Sequence, residues 1–346
     1  MKNFFIAIAL LIPFLSFGTI LTVDNSSSSP GQYTSFGSAY SAASTGDTIY
    51  VRGSLHSYGS VTLYKKLIII GAGYNPSPTN SYPTIFDDFN ISRGYSGKNA
   101  SGTEVYGIKV NTSGEIDISG SSYGNISNVR IERCEAKIRT YRAEGVKLIN
   151  NIITQLYIRE YTHNSSVYNN IIKSISFSSS YSSNSITFDH NIFTNASSSG
   201  FRYCIVKNSI FYGTTPGNSA IHTAFANNMA YASANDTFDI TTNSNSGYNN
   251  YNHTNPNFVS VGSTTFSYFY DYHLQTGSTA INAGSDGTNL GIYGGLYPFP
   301  IGGASGSGFQ TSQEPAVPQI YQFTIQNKTI QPSDTLNINI KVSIQK

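Results

Sequence analysis

Two arginines and two tyrosines fall on alternate positions of two short stretches, KIRTY (137–141) and LYIRE (156–160). A third stretch, SISFS (174–178), keeps the alternation without the charges. In an extended strand, successive side chains point to opposite faces. With Ile138, Leu156, Ile158, Ile175 and Phe177 turned inward, Arg139, Tyr141, Tyr157 and Arg159 share the outer face, and Glu160, Tyr161 and His163 lie just past them. Such a row has a definite chemistry. Aromatic faces stack on sugar rings, and Arg grips a carboxylate or sulfate with two parallel hydrogen bonds. Arg139, Tyr141, Tyr157, Arg159 and Glu160 are therefore the candidate ligand-binding residues, and an acidic polysaccharide is the ligand they suit. An ordinary solvated face, with Tyr covering the strands, would show the same alternation.

Other chemistry finds less support. His56, His163, His222, His253 and His273 show no metal-ligand spacing, so no metal site is expected. Asp189-His190 reads as a surface pair rather than a catalytic dyad. SDGTNLG (285–291) lacks the Asp spacing and terminal Glu of a calcium loop and reads as a turn. No residue is singled out as catalytic.

What would position the row is a repeat. Aligning VRIERCEA (129–136), VKLINNII (146–153), SSVYNNII (165–172), ITFDHNIF (186–193), CIVKNSIF (204–211) and TAFANNMA (223–230) puts Cys134, Asn151, Asn170, Asn191, Ser209 and Asn228 in one column. The intervals are 17, 19, 21, 18 and 19 residues. Leu148 and Leu156 are the only leucines between 129 and 230, which excludes a leucine-rich repeat, and no stretch holds helical periodicity. The remaining unit of this length is a β-solenoid coil, built of short strands and tight turns and stacked on the coil before it. Stacking at the inter-strand spacing of about 4.7 Å lets buried amides hydrogen-bond up and down a ladder. Asn also tolerates the left-handed backbone of a tight turn. Cys134 and Ser209 stand in the column as other small side chains. Four rungs separate Cys134 from Cys204, roughly 19 Å, so a disulfide, which needs Cα atoms within about 7 Å, is not expected.

The Asn ladder resembles that of right-handed parallel β-helix proteins of the pectin-lyase-like type, in their secreted bacterial form. STGDTIYVRGSLHSYGSVTLYKKLIIIGAG (44–73) is similar to a first coil of that family, and DYHLQTGSTAINAGSDGTNLGIYGG (271–295) to a closing one. The resemblance spans residues 20 to 298 and implies the fold. It implies little about activity, because this fold hosts lyases, hydrolases and adhesins alike. For a lyase it implies an Arg or Lys base beside acidic residues that hold calcium. Arg139 and Arg159 would be the bases, while Glu144 and Glu160 are scattered. Three or more carboxylates gathered beside them in the folded chain would favour that reading. For a hydrolase it implies an Asn-Thr-Asp phrase and a later Gly-His-Gly, and neither occurs. Asp87-Asp88 is the only adjacent carboxylate pair and lacks that context.

The remaining features concern compartment and ends. Lys2, the apolar run from Phe4 to Phe14 and Ser16-Phe17-Gly18 form a signal peptide, 1–18, cleaved near Gly18. The run is too short to span a bilayer, and no later segment is apolar enough, so the mature chain is expected to lack a transmembrane segment. The protein is expected to be exported: secreted, periplasmic or on the cell surface. Charged residues make up only 11% of the chain and the formal net charge is +2, which excludes a nucleic-acid partner. Phe36, Tyr40 and Ala43, with Thr34 or Ser35 as N-cap and Gly46 as stop, predict a short capping helix within 33–46. Residues 299–318 read as a Gly/Ser/Pro linker, and 319–346 as a β-hairpin tail with a turn around Pro332-Ser333-Asp334. Two strands alone are marginal in water, so the tail should dock on its own last coil or on another protein.

The expectation is an all-β, right-handed parallel β-helix over 19–298, of nine to eleven coils, with an N-terminal capping helix and a short C-terminal β tail. Its expected role is non-catalytic, either carbohydrate recognition or surface structure. The alternative is a polysaccharide lyase acting by β-elimination with an Arg base. No cofactor is expected, and calcium only in the lyase reading. The partner would be a polysaccharide or a cell-surface component.

Overall fold

Apolar residues at every second position build the strands, and their register builds the core. In the computed structural model, which describes residues 18–27, 31–75, 82–178, 185–194, 198–217, 219–300, 319–325 and 338–343, Ile49, Ile69, Val105, Ile131, Leu148, Val167, Phe188, Val206 and Phe225 stand one above another. All are buried. They belong to an eleven-stranded sheet that runs from Ile20–Val23 to Ser246–Tyr248. Every neighbouring pair in it is parallel. A second, thirteen-stranded sheet faces it across the core. The chain is a parallel β-solenoid of about nine turns, and no helix among the described residues is long and apolar enough to cross a membrane. The signal peptide and the linker fall outside the described residues, apart from Gly18 at one end and Phe299 and Pro300 at the other.

Between the two sheets each coil turns a corner, and the repeated Asn occupies it. The Asn170 Oδ1 accepts from the Asn151 backbone N–H at 2.8 Å and from its amide at 2.9 Å. Asn191 does the same for Asn170, at 2.9 and 3.1 Å. The stack continues from Cys134 through Ser209 to Asn228. It does not end there: the Asn250 Oδ1 accepts from the Asn228 backbone at 3.0 Å. Asn151, Asn170, Asn191 and Asn228 are fully buried, and each bonded amide avoids the 1–3 kcal/mol that a buried, unsatisfied group would cost.

The phrase Asn-Asn-Ile-Ile acquires a four-part meaning. The first Asn, such as Asn150 or Asn169, has φ of +53° and faces out from the corner. The second faces in and stacks. Of the two isoleucines, Ile153 and Ile172 enter the inner core, whereas Ile171 belongs to a second apolar cluster with Ile192, Ile210 and Met229. That cluster lies outside the solenoid, and the returning chain buries it. Residues 271–295, expected to close the last coil, instead belong to a segment that folds back over the outside. Asp271–Leu274 pairs antiparallel with Phe258–Ser260. The chain then passes Asn227, Asn208, His190, Asn169 and Asn150 in descending order of coil.

His190, expected at the surface, is 1% exposed beneath this strap. Its Nδ1 lies 2.7 Å from Asp189, and its Nε2 lies 3.1 Å from the Thr288 hydroxyl. The strap passes so closely that a Cβ on Gly295 would sit 2.6 Å from the imidazole, at a φ of +72° that already favours glycine.

A helix spans Phe36–Ala42, capped by the Ser35 hydroxyl, which accepts from the Ser38 N–H at 3.2 Å. Phe36 meets Phe86 edge to face at 5.2 Å within the inner core. Gln319–Ile325 and Ile338–Ser343 pair antiparallel. Cys134 and Cys204 are buried and free, the first in the ladder corner and the second paired with Ile186 in the eleven-stranded sheet. Burial pushes both thiols up to about 12, so neither is a reactive thiolate at neutral pH.

Candidate functional site

The candidate row lies on the outer face of the second sheet. Arg139 stands between Asp117 on one rung and Tyr157 on the next, with Ser176 beyond. Tyr141 stands beside Ser119. Arg159 follows Ile158, the partner of Thr140, so it takes the rung above Tyr141. The Arg159 guanidinium lies 5.2 Å from the centre of the Tyr141 ring and 5.9 Å from that of Tyr157. Arg142 covers Tyr161 at 4.3 Å and donates from Nε to the Tyr141 hydroxyl at 3.2 Å. Glu160 turns back from the row. Its carboxylate lies 3.3 Å from Arg159 and accepts from the Ser178 hydroxyl at 2.6 Å, and this hydrogen bond lowers its pKa despite some burial.

The two arginines have different duties. Arg139 is tied down, with Nη2 at 2.9 Å from Glu115 and 2.8 Å from Asp117. The Asp117 hydrogen bond raises its pKa above the ordinary value. A guanidinium so held is a poor general base, because abstraction of a proton requires a lowered pKa. Among the described residues, Arg159 meets only Glu160 as a carboxylate partner, and its guanidinium lies near two aromatic rings.

The row is part of a longer column. The residues that follow Leu63, Ile91, Ile118, Thr140 and Ile158 occupy successive rungs of one corner. They are Tyr64, Ser92, Ser119, Tyr141 and Arg159, spanning roughly 19 Å at the inter-strand spacing. Loops at this corner add Tyr95 and Tyr123, whose rings meet at 5.1 Å and which are 68% and 59% exposed. Lys98 covers Tyr64 at 4.9 Å. Arg93 donates to the Asn125 carbonyl at 2.9 Å, and its guanidinium passes over Gly124, where an added Cβ would lie 3.0 Å away. Gly124 has a φ of +135°, so the loop carrying Tyr123 needs glycine there for two reasons. Among the described residues, neither Arg93 nor Lys98 has a carboxylate partner.

Sequence alternation finds Tyr141, Tyr157 and Arg159 because they are in strands. It misses Tyr64, Tyr95, Tyr123, Arg93 and Lys98, whose alignment depends on loops of unequal length between equal rungs. The double Asn of YNNY (248–251) was the signal for the missed rung at Asn250.

Carboxylates do gather at one end. Asp88, Glu115 and Asp117 lie on adjacent rungs, Asp88 accepting from the Glu115 N–H at 3.2 Å. Two of the three are spent on Arg139, and no group of three acidic, His or Cys side chains suited to a metal ion occurs among the described residues. No family profile and no curated protein matches the chain.

Proposed function

We propose that this chain is an exported, non-catalytic solenoid of the pectin-lyase-like kind that binds an acidic polysaccharide along the Tyr/Arg column. The observation that carries the reading is the run of exposed tyrosines, interleaved with Arg93, Lys98, Arg142 and Arg159, on consecutive rungs of one rigid corner. Aromatic rings supply stacking faces at small entropic cost, and guanidiniums supply forks for carboxylate or sulfate. The helix at Phe36–Ala42 lids the first coil in this reading. The C-terminal hairpin docks on the last coil or attaches the molecule to a partner, and the N-terminal address sends it out of the cell.

Titrating the mature chain with polygalacturonate, and with dextran as a neutral control, tests the proposal. Saturable binding to polygalacturonate that weakens with salt is expected. The double variant Tyr95→Ala/Tyr123→Ala should bind at least tenfold more weakly, about 1.4 kcal/mol, with its melting transition unmoved. Equal binding of dextran, or an unaffected double variant, would sink the reading. Failure to bind any polysaccharide would leave the role of rigid structural element.

The placement of Glu115 and Asp117 beside Arg139, with Asp88 on the next rung, favours a second reading, a polysaccharide lyase. Its mark would be a calcium-dependent rise in ultraviolet absorbance from unsaturated uronide ends, abolished in Arg139→Ala or Arg159→Ala. The pairing of Arg139 with two carboxylates weighs against it.

A further inference from the structure

The corner that leads into the eleven-stranded sheet carries a column of its own. Ser185, Tyr203, His222 and Ser244 lie in register on successive coils, and all have φ between +45° and +58°. Each precedes a residue that faces the core: Ile186, Cys204, Thr223 and Asn245 are all buried. The corner is held from within. The Asn245 Oδ1 accepts from the Thr223 N–H at 3.1 Å, and its amide donates to the Ala220 carbonyl at 3.0 Å.

Two rings thus stand between two serines. Tyr203 and His222 stack with centres 4.7 Å apart and planes 17° from parallel, the separation that the inter-strand spacing dictates. An aromatic side chain on the rung above or below would continue the stack. Serine stands on both, and among the described residues no third ring stacks on either Tyr203 or His222. The stack has two bare ends.

The outward residues of the adjoining strands, Thr187, Ile205, Ala224 and Ser246, form a floor beside the column. Ile205 is 49% exposed there, a large aliphatic side chain on a face turned to water. Column and floor bound a groove of about 560 Å³. It crosses the coils from Ser185 to Ser246, roughly 14 Å at the inter-strand spacing. Among the described residues that line it, none is an Asp, Glu, Lys or Arg. Its outward polar groups are the hydroxyls of Ser185, Thr187, Tyr203, Ser244 and Ser246 and the ring nitrogens of the exposed His222.

We infer that this groove binds a neutral sugar, its ring laid against a bare end of the Tyr203–His222 stack and its hydroxyls meeting those of the rim. Three observations carry the inference together: a ring stack open at its ends, an uncharged lining rich in hydroxyls, and an apolar floor at Ile205. A uronate or sulfated unit would find no cation among the lining residues. The groove shares no residue with the Tyr/Arg column and takes a ligand of different charge, so either site can fail without the other.

The probes are cellotriose, maltotriose and mannotriose, each titrated into the full mature chain and followed by calorimetry. Saturable binding of at least one is expected. Tyr203→Asn and His222→Asn remove a ring and keep a residue that tolerates the left-handed backbone, and each should weaken binding about tenfold. Ile205→Ser, at a position half open to water, should weaken it about threefold and guards against a folding defect in the other two. Tighter binding of the trisaccharide than of its monosaccharide would assign a chain lying along the groove, and equal binding a single ring, and both support the site. Failure of all three probes to bind, or wild-type affinity in all three variants, would overturn it. The three variants should leave polygalacturonate binding unchanged, and Tyr95→Ala/Tyr123→Ala should leave trisaccharide binding unchanged, which separates failure here from failure of the column.

Discussion

At the ladder corner, the outward residues Asn169, His190, Asn208 and Asn227 are met by the returning strap. At the corner beyond the second sheet, Tyr64, Tyr95, Tyr123 and Tyr161 meet solvent. Both corners stack their residues at the same spacing along one solenoid, the tyrosines on its earlier coils and the strapped residues on its later ones, yet one is a second core and the other an open platform. The difference lies in the groups presented. The ladder corner offers amides and Ile171, Ile192 and Ile210, which the chain itself can satisfy and cover. The other corner offers large amphipathic rings and guanidiniums, which remain solvated and usable while exposed.

The largest expected effect breaks the ladder. Asn170 accepts from two Asn151 donors and gives its own amide to Leu148, Tyr168 and Asn191. Asn170→Ala should leave at least two buried groups unpaired and cost about 4 kcal/mol, read from urea unfolding. A loss under about 1 kcal/mol would mean that water or backbone shifts replace the amide.

The next sharpens the contrast between corners. Ile192 points out of the solenoid, and on an uncovered face its truncation would be nearly silent. Under the strap it is 1% exposed, so Ile192→Ala should cost about 3 kcal/mol, comparable to truncating an inward core residue. A change within about 0.5 kcal/mol would show the strap to be detached in solution.

The smallest concerns acid. Burial pushes the Asp189 carboxyl up, but hydrogen bonding and charge from His190, with Asn208 and Lys207, outweigh it and leave the pKa below its ordinary value. A depressed folded pKa contributes stability above the unfolded value of about 3.9 that is lost as pH falls through the folded one. Wild type should therefore lose more of its urea midpoint than Asp189→Asn between about pH 5 and about pH 2. Parallel losses would remove Asp189 from the acid response.

Legibility followed the range of the interactions. The ladder at Asn151, Asn170, Asn191 and Asn228 repeats in the chain because each rung sees the same neighbours above and below. Arg139 and Tyr157 share a face because alternation in a strand is local. His190 read as a surface residue because nothing near it in sequence signals Thr288 or Gly295, some hundred residues away. A cavity beside Asn150 was invisible for the same reason: Tyr293, Tyr297 and Pro298, which line it, come from the strap.

The amino-acid sequence by itself determined the period, the inward and outward faces of each strand and the polar corner, since these follow from backbone geometry and from contacts between consecutive coils. Only the tertiary structure decided which corner is sealed, which loops bring Tyr64, Tyr95 and Tyr123 into line, and where a cavity remains. The sealed corner and the cavity depend on a segment from residue 256 to residue 300 folding back across coils laid down long before it, and the tyrosine alignment depends on loops of unequal length between equal rungs; no local pattern encodes either.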